Sequence, residues 1–270
     1  MNLSTFADTA RIAPPLDSRK RFLRMTERTA LGYARAWPLM LTGLLEPLLY
    51  LLSIGIGVGA LVGEVTYAGR SVPYETFVAS GMLATAAMNG AVFDTTFNFF
   101  IRLKYAKLYD AVLATPLEPR DVALGEVTWA LLRGAFYSAA FLLTMVVFGL
   151  VESWWAVLAL PATVLIGAAF AAAGLAASTY MRSFLDFDFV NLAITPMFLF
   201  SATFFPLSEY PDALATVVRW TPLYQGVALC RALTTGEVHA GLLGHAAYLL
   251  VLVVVGVVVA SRRIDGLLRS

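Results

Sequence analysis

The sequence predicts an all-α integral membrane protein with six transmembrane helices, and composition, apolar segments and charge placement each indicate this fold. Hydrophobic residues make up 59% of the 270 residues and charged residues only 14%, whereas soluble domains average about 45–50% apolar and about 25% charged residues. The mean hydropathy is +0.76. This composition excludes an ordinary water-soluble enzyme, a coiled coil and a disordered chain. The single cysteine, Cys230, excludes an internal disulfide and a multi-cysteine metal site.

Six long apolar segments account for the predicted transmembrane helices. A helix needs about 20 mainly apolar residues to cross a bilayer, and lipid offers no hydrogen-bond partner to backbone groups outside a helix or a closed barrel. The fifth segment is short and contains Pro196, and the first contains Glu46 followed by Pro47. The segments cover about residues 38–62, 75–101, 126–151, 154–181, 189–205 and 240–260.

Lysine and arginine residues are distributed unequally between the two sides of this six-span layout. Fifteen lie on the side that holds both termini, and three lie on the other side. Because cytosolic loops are enriched in Lys and Arg, we expect a multi-pass protein of the cell (inner) membrane with both termini cytosolic. The chain then divides into a cytosolic segment 1–37, a transmembrane domain 38–260 and a cytosolic tail 261–270. A net charge of +1 gives no indication of a nucleic-acid partner.

The N-terminal segment contains an amphipathic pattern from residue 17 onward. A basic amphipathic helix directly before a span is expected to lie in the headgroup plane, although a solvated cytosolic helix would show the same pattern. Its apolar face consists of Phe22, Met25, Thr29, Tyr33 and Trp37, and its basic face of Lys20, Arg21, Arg24, Arg28 and Arg35.

Two connections between spans are longer than the others. Residues 102–113 on the cytosolic side predict a short surface helix that Pro116 and Pro119 terminate. Residues 206–238 on the external side are too short in apolar length for a span, and Pro222 divides them into two predicted re-entrant helices. The predicted interface anchors are Trp154, Trp155 and Trp220.

Sequence motifs for catalysis are absent from the chain. It contains no GxxxxGK[ST], HExxH, GxSxG or CxxC motif. We therefore expect no catalytic residue, no metal site and no cofactor on this polypeptide. The pair Asp186 and Asp188 is interpreted as a solvated turn rather than as a metal-binding motif.

Ionisable residues within the spans are the strongest candidate functional residues, because a charge in lipid is costly unless it is paired or hydrated. They are Glu46, Asp94 and Arg133. Two interpretations stay open: an interhelical ion pair that includes Arg133, or a proton relay. Candidates for lining a lipophilic substrate path are Asn89, Phe93, Phe97 and Phe198, although the aromatic spacing also suits a lipid-facing surface.

Five segments carry a resemblance to the membrane subunit of ABC-2 type exporters, in particular to permeases of the nodulation-factor (NodJ) type and the daunorubicin-resistance type. Their order along a six-span layout is more specific than any single motif. The resemblance covers roughly residues 20–265. The segments are EPLLYLLSIGIGVGALVG (46–63), YETFVASGMLATAAMNGAVFDTTF (74–97), KLYDAVLATPLEPRDVALGE (107–126), ITPMFLFSATFFPLSEYP (194–211) and WTPLYQGVALCRAL (220–233).

The resemblance implies that residues 102–114 form a coupling helix seated on a separate ATP-binding subunit. Two such subunits, which hold ATP and Mg²⁺, would join two permease copies that form a homodimer or a heterodimer. The cargo would be an amphipathic or lipophilic molecule, such as a lipid, a glycolipid, a lipo-oligosaccharide or a hydrophobic drug. Implied contact residues on the coupling helix are Lys104, Lys107, Leu108, Tyr109, Asp110 and Leu113.

Three alternative functions share the same fold. A proton-coupled secondary transporter would use Asp94 as a proton carrier. An intramembrane lipid-modifying enzyme would turn over without a partner. A structural subunit of a heteromeric exporter would leave most of the substrate path to the other permease.

Overall fold

The computed structural model describes residues 21–34, 45, 48–102, 117 and 119–268, and it is mainly helical. A two-stranded hairpin of β1 (Glu64–Tyr67) and β2 (Arg70–Pro73) interrupts the helices. The helices are α1 (Arg21–Ala34), α2 (Gly57–Val62), α3 (Tyr74–Phe93), α4 (Pro119–Val147), α5 (Ala159–Ser178), α6 (Phe187–Phe200), α7 (Asp212–Arg219), α8 (Pro222–Thr235) and α9 (Leu242–Leu268).

Within the described residues, four helices are long and apolar enough to cross a membrane: Tyr74–Asn98, Leu124–Val147, Trp154–Ser178 and Leu242–Ile264. They lie in the second, third, fourth and sixth predicted spans. The first predicted span lies partly outside the described residues, and its described part contains the apolar helix Leu48–Val62. By length and composition these four helices are candidate membrane spans, in agreement with an all-α membrane protein, and the count of six stays a prediction.

The fifth predicted span differs from the expectation of residues 189–205. Helix α6 has 14 residues and ends at Phe200, and residues 201–205 form a series of bends. At about 1.5 Å per residue it is about 21 Å long, which is shorter than the roughly 30 Å hydrocarbon core. Ala202, with a φ of 58°, is in the left-handed region, which a helix cannot contain.

The hairpin at residues 64–73 is an element that the all-α prediction did not include. Its strands pair antiparallel, with Val65 opposite Val72 and Tyr67 opposite Arg70. The two turn residues, Ala68 and Gly69, have φ values of 51° and 77°, the pattern of a type I′ turn that suits two-residue hairpins. Each strand has four residues, too few for alternation to stand out in the sequence.

Arg70 at the hairpin turn joins three connections at one end of the molecule. Its Nη2 lies 3.2 Å from Glu152 Oε2, and its Nη1 lies 3.0 Å from Glu237 Oε1. Glu152 precedes α5 and Glu237 precedes α9. The hairpin therefore ties together the connections that the predicted topology places outside the cell.

Helix α5 lies at the centre of the bundle, where it packs against α3, α4, α8 and α9. Small residues allow these contacts, as is common between transmembrane helices. A Cβ on Gly256 of α9 would lie 2.8 Å from the carbonyl carbon of Ala172, and one on Gly174 would lie 2.5 Å from Thr95 Oγ1. Glycine thus occurs where the backbones of α5 and α9 approach each other, and where Thr95 packs against α5.

Helix α1 packs against the start of α4. Met25 is buried, and Thr26 Oγ1 donates a hydrogen bond of 3.2 Å to the carbonyl oxygen of Gly125. A Cβ on Gly125 would lie 2.6 Å from the Cβ of Met25. Arg24 and Arg28 are exposed on the other side of α1. Part of the predicted apolar face therefore binds α4, and the position of α1 in the headgroup plane stays a prediction.

Substitution of Gly256 by alanine is expected to destabilise the bundle by about 1–3 kcal/mol, because the new methyl group overlaps the backbone of α5. Thermal unfolding in detergent micelles measures the effect. Gly244→Ala is the matched control, because Gly244 is on the same helix with nothing within 4 Å of an added Cβ. That control should be neutral or slightly stabilising. Equal melting temperatures for both variants would contradict the close contact between α5 and α9.

Candidate functional site

The predicted buried charges Asp94 and Arg133 form an ion pair between the second and third predicted spans. Arg133 Nη1 lies 2.9 Å from Asp94 Oδ1, and both side chains are less than 10% exposed. Asn98 Nδ2 donates a second hydrogen bond to Asp94 Oδ1 at 2.6 Å, and the guanidinium lies 5.4 Å from the ring centre of Tyr137. The geometry is that of the interhelical pair, the first of the two interpretations above. Glu46 lies outside the described residues.

Asp94 begins a π-helical turn that continues α3 through Asn98. Such turns arise where the i→i−4 ladder is interrupted, and they are frequent at functional sites. The hydroxyl groups of Thr95 and Thr96 donate back to the carbonyl oxygens of Ala91 and Val92, at 2.8 and 2.6 Å. Helix α3 is therefore irregular at the depth where it carries its buried charge.

A second ion pair joins the same two spans, and the sequence analysis did not identify it. Arg102 Nη2 lies 2.7 Å from Glu126 Oε2, with side-chain exposures of 15% and 2%. The two pairs are eight residues apart on one span and seven on the other, which is about two helical turns. In the sequence, Asp94 precedes Arg102 by eight residues and Glu126 precedes Arg133 by seven. On two antiparallel helices these spacings bring each acid opposite a base, and this could have indicated both pairs.

This second pair lies directly before the segment predicted to be the coupling helix. Its predicted contact residues, from Lys104 to Leu113, lie outside the described residues. Arg102 is the last described residue before them. The ion pair therefore holds the start of this segment against the start of the third predicted span.

The four predicted path residues do not form one site. Phe93 stacks on Phe97 with ring centres 5.2 Å apart, and Phe97 meets the edge of Phe187 at 5.4 Å. Phe198 lies near the other end of α6, about 16 Å further along the helix axis, where it contacts Tyr50 and Phe204. The half-buried Asn89 lies about one turn before Phe93.

A cavity of about 680 Å³ lies beside these residues, between the second span, α5, α6 and α9. The cavity is lined by Val92, Thr96 and Met197, which are the sequence neighbours of the predicted path residues Phe93, Phe97 and Phe198. Consecutive residues of a helix point about 100° apart, so a neighbour belongs to another face. The aromatic rings of Phe93 and Phe97 thus lie on a surface next to the cavity, and their role in a substrate path stays a prediction.

Arg231 on α8 is a buried cation that the sequence analysis counted only as an external-loop charge. It is 3% exposed, and among the described residues no carboxylate lies within ion-pair distance of it. Its Nε donates to Ser80 Oγ at 3.0 Å, and its Nη2 donates to the carbonyl oxygens of Phe77 and Thr203 at 3.1 and 3.4 Å. The guanidinium carbon lies 3.6 Å from the ring centre of Phe77, a favourable cation–π contact.

These contacts connect α8 with α3 and with the bends that follow α6. A Cβ on Gly81 would lie 2.9 Å from the Cα of Thr203 and 3.1 Å from Arg231 Nη2, so only glycine permits this approach. Ser201 and Thr203 share a hydrogen bond of 2.8 Å between their hydroxyl groups. The only signal in the sequence was an arginine within the apolar run VALCRAL at residues 227–233.

No metal site occurs in the part of the chain that the structure describes: its His, Cys, Asp and Glu side chains form no group of three or more around a common point. His245 Nδ1 pairs with the side-chain oxygen of Gln225, and His239 with the carbonyl oxygen of Glu237. Both histidines are thus occupied by protein groups.

Four described helices of membrane-spanning length, with buried ion pairs and small-residue packing between them, define the class of a multi-pass helical membrane protein. The sequence profile of one family, described as "ABC-2 type transporter", matches residues 20–234. The chain belongs to the ABC-2 type transporter family and is a membrane subunit of an ABC exporter. This match confirms the resemblance that the five sequence segments indicated.

Curated relatives cover most of the chain. Nodulation protein J of Rhizobium leguminosarum bv. trifolii is 34% identical over 218 residues, which cover 80% of this chain and 81% of that protein. Nodulation protein J of R. leguminosarum bv. viciae is 31% identical over 243 residues, with 89% and 92% covered. The Rhizobium meliloti (strain 1021) protein is 33% identical over 207 residues, with 75% and 77% covered.

Removal of one partner from the Asp94–Arg133 pair is expected to cost about 3–5 kcal/mol, because the other charge is left buried. Asp94→Asn tests this by unfolding in mixed micelles, and the double variant Asp94→Asn/Arg133→Gln should cost less than the sum of its single variants. The control is Glu27→Gln, which breaks an exposed pair with Arg24 and should cost less than about 1 kcal/mol. Strict additivity of the two buried substitutions would refute the coupling.

Arg231→Met is expected to destabilise the protein by about 1–3 kcal/mol, because the carbonyl oxygen of Thr203 loses its donor. Amide hydrogen exchange at residues 201–205 should accelerate in this variant. The measurement is exchange in the folded protein, followed by digestion and mass spectrometry of the peptides. Arg219→Met, at an exposed arginine of α7, is the control and should change neither quantity. Unaltered exchange at residues 201–205 would mean that Arg231 does not hold this segment.

Proposed function

We propose that this chain is the permease subunit of an ATP-driven exporter, and that its ATPase is a separate polypeptide bound to the cytosolic face. Membership of the ABC-2 type transporter family over residues 20–234 carries this proposal. The matched range includes residues 102–114, the proposed coupling helix. ATP and Mg²⁺ would be held by two copies of the partner subunit, since this chain has no phosphate-binding GxxxxGK[ST] motif.

The contacts between connections support the proposed topology in the inner membrane. Arg70, Glu152 and Glu237 meet at one end of the bundle. At the other end Phe100 contacts Phe184 and Tyr180 contacts Arg263. The six-span layout predicts that the connections fall into these same two groups, one at each end of the bundle. In that layout the second group lies on the cytosolic side, together with both termini.

The exposed residues Trp154, Trp155 and Trp220 support a position of this end of the bundle at a membrane–water interface. All three are more than half exposed, and they lie next to the connections that the layout places outside the cell. Tryptophan concentrates at membrane–water interfaces, where its ring is in the apolar region and its N–H in water. Helices α7 and α8 would then be re-entrant, since they return to the side on which they begin.

In the proposed mechanism, the partner subunits close on binding ATP and displace the coupling helices. The Arg102–Glu126 pair would pass this displacement to the second and third spans, because it joins them where the coupling segment begins. A conformational change of this kind requires a ligand that binds one state better than the other. Here that difference would arise on the partner subunits.

A second permease copy is proposed to pack near α6. None of the residues of α6 is buried in the single chain, and Phe189 and Leu192 are about 70% exposed. Such a helix lacks neighbours that a second copy would provide.

The proposed cargo is an amphipathic or lipophilic molecule that leaves the cytosol or the inner leaflet. Support comes from the cavity, whose walls are mainly alanine, aliphatic and aromatic side chains, and from the aromatic rings of Phe93 and Phe97. The polar side chains Thr85, Thr95 and Thr96 are occupied by backbone carbonyl oxygens of their own helix. Little hydrogen-bonding capacity is left there for the hydroxyl groups of a bare polysaccharide.

The purified permease reconstituted alone is expected to show no ATPase activity, and addition of the cognate ATP-binding subunit should produce cargo-stimulated hydrolysis. Leu108→Glu/Tyr109→Glu should abolish this stimulation by preventing the apolar contact with the partner. Leu185→Glu is the matched control, since Leu185 is exposed on another cytosolic connection. Vesicle transport and phosphate release are the two measurements.

Two results would contradict the proposal. Normal stimulation in the double variant would exclude residues 102–114 as the coupling helix. Transport that continues without the partner, collapses with an uncoupler and is lost in Asp94→Asn would instead show the proton-coupled transporter, and turnover of a lipid by the chain alone would show the enzyme.

A further inference from the structure

The cavity beside α6 is apolar along its walls and charged at one end. Helix α5 contributes Phe170, Ala173 and Ala177, and α6 contributes Phe189, Ile194 and Met197. Leu252 of α9 also lines the cavity. Arg182 and Asp186, in the connection between α5 and α6, lie at the mouth.

The size of the cavity suits a single hydrocarbon chain. Its volume is about 680 Å³, and a methylene group is about as large as a water molecule, which takes roughly 30 Å³ in the liquid, so about twenty methylene groups fit. If the cavity is empty, the apolar side chains that line it lose dispersion contacts, and a hydrocarbon chain would restore them. Water would find few hydrogen-bond partners there, since the walls are aliphatic and aromatic.

One guanidinium group lines the cavity, and a second contacts a residue of its lining. Arg182 lines the cavity and is exposed. The guanidinium carbon of Arg263 lies 4.3 Å from the ring centre of Tyr180, which also lines the cavity. Within the described residues, neither arginine has a carboxylate at ion-pair distance. Neither guanidinium group is therefore held in an ion pair within the described part of the chain.

Asp186 is the acidic group at this mouth, and the backbone holds it. Its Oδ2 accepts hydrogen bonds from the backbone N–H groups of Arg182 and Ser183, at 2.6 and 3.0 Å. These two donors hold the pKa of Asp186 below its usual range, with Arg182 contributing a smaller electrostatic effect. The Asp186 carboxylate thus already caps its own turn, while the guanidinium groups of Arg182 and Arg263 form no ion pair with any described residue, and an anion is favoured near them.

We propose that this cavity is a binding site for one acyl chain of an anionic glycerophospholipid, whose phosphate group binds Arg182 and Arg263. The lipid comes from the leaflet next to residues 181–188, and only the assignment of that leaflet as cytosolic rests on the proposed function. The acyl chain fills the space between α5 and α6 and supports α6, which has no buried residue of its own.

Native mass spectrometry of the purified full-length chain tests the site, with phosphatidylglycerol and phosphatidylcholine of identical acyl chains as probes. Phosphatidylglycerol should bind at one copy per chain with an affinity at least tenfold higher than phosphatidylcholine. Arg182→Gln and Arg263→Gln should each weaken phosphatidylglycerol binding roughly fivefold, as expected for one basic residue at an anionic lipid surface. Arg219→Gln, at an exposed arginine of α7, should leave it unchanged.

Filling the cavity tests the acyl-chain part of the proposal separately from the charges. Ala177→Phe and Ala193→Phe place bulk on the lining of the cavity, and each should remove the bound lipid. Ala139→Phe, at an exposed position of α4, is the control and should retain it. Melting temperatures in detergent identify any variant that fails to fold, and either filled variant that folds is sufficient for the test.

Three outcomes would overturn the site. They are equal binding of the two lipids, unchanged binding in Arg182→Gln/Arg263→Gln, and retained lipid in a folded Ala177→Phe or Ala193→Phe protein. If a transported cargo displaced the lipid, with one cargo molecule bound for each lipid lost, the cavity would belong to the cargo path instead. Because the readout is lipid bound to the chain alone, failure of the partner ATPase assay would leave this result intact, and the reverse also holds.

Discussion

The ion pair between Asp94 and Arg133 constrains how the second and third predicted spans face each other. Each charge alone would be costly among apolar helices, and only a partner at the same depth on the next helix makes both tolerable. Two turns away, Arg102 and Glu126 repeat the arrangement with the signs exchanged between helices. A rotation of either span by one residue, or a shift by one turn, would separate both pairs. The two helices therefore have one rotational setting, and the connection between them starts from a defined position.

The rest of the bundle is assembled on backbone proximity rather than on large side chains. Helix α5 carries alanine and glycine on the faces that meet α3 and α9. Thr95 packs against Gly174 of α5, and Gly256 of α9 packs against Ala172 of α5. Lipid tails are as apolar as leucine, so association within a membrane depends on close packing and interhelical hydrogen bonds. These close contacts make α3, α4, α5 and α9 a closely packed group. Helix α6 differs, because it stands apart from this group with a cavity behind it.

The end of α6 and the helix α8 are connected by one buried arginine. Arg231 reaches the carbonyl oxygen of Thr203 in the bends and the groups of Ser80 and Phe77 on α3. Helix α6, which has no buried residue, is thus attached to the closely packed group at both ends: by Arg231 at its far end and by the ring of Phe187 against Phe97 at its near end. In an exporter subunit, a helix attached at both ends and loosely packed between them is suited to movement.

Local chemistry explains why the sequence alone determined part of this description. Length and apolarity of a segment are local properties, so the spans 75–101, 126–151, 154–181 and 240–260 could be located, and five motifs placed the chain in its family. The charges at Asp94 and Arg133 could be recognised as buried because they interrupt such segments. The tertiary structure decided what depends on the distance between helices: which carboxylate meets which arginine, where Arg231 is buried, and where a cavity remains beside α6. The hairpin at 64–73 was also decided by the tertiary structure, since a four-residue strand gains its stability from pairing. The end of α6 at Phe200 was decided there too, because the surrounding structure holds Ala202 at a positive φ that ends the helix.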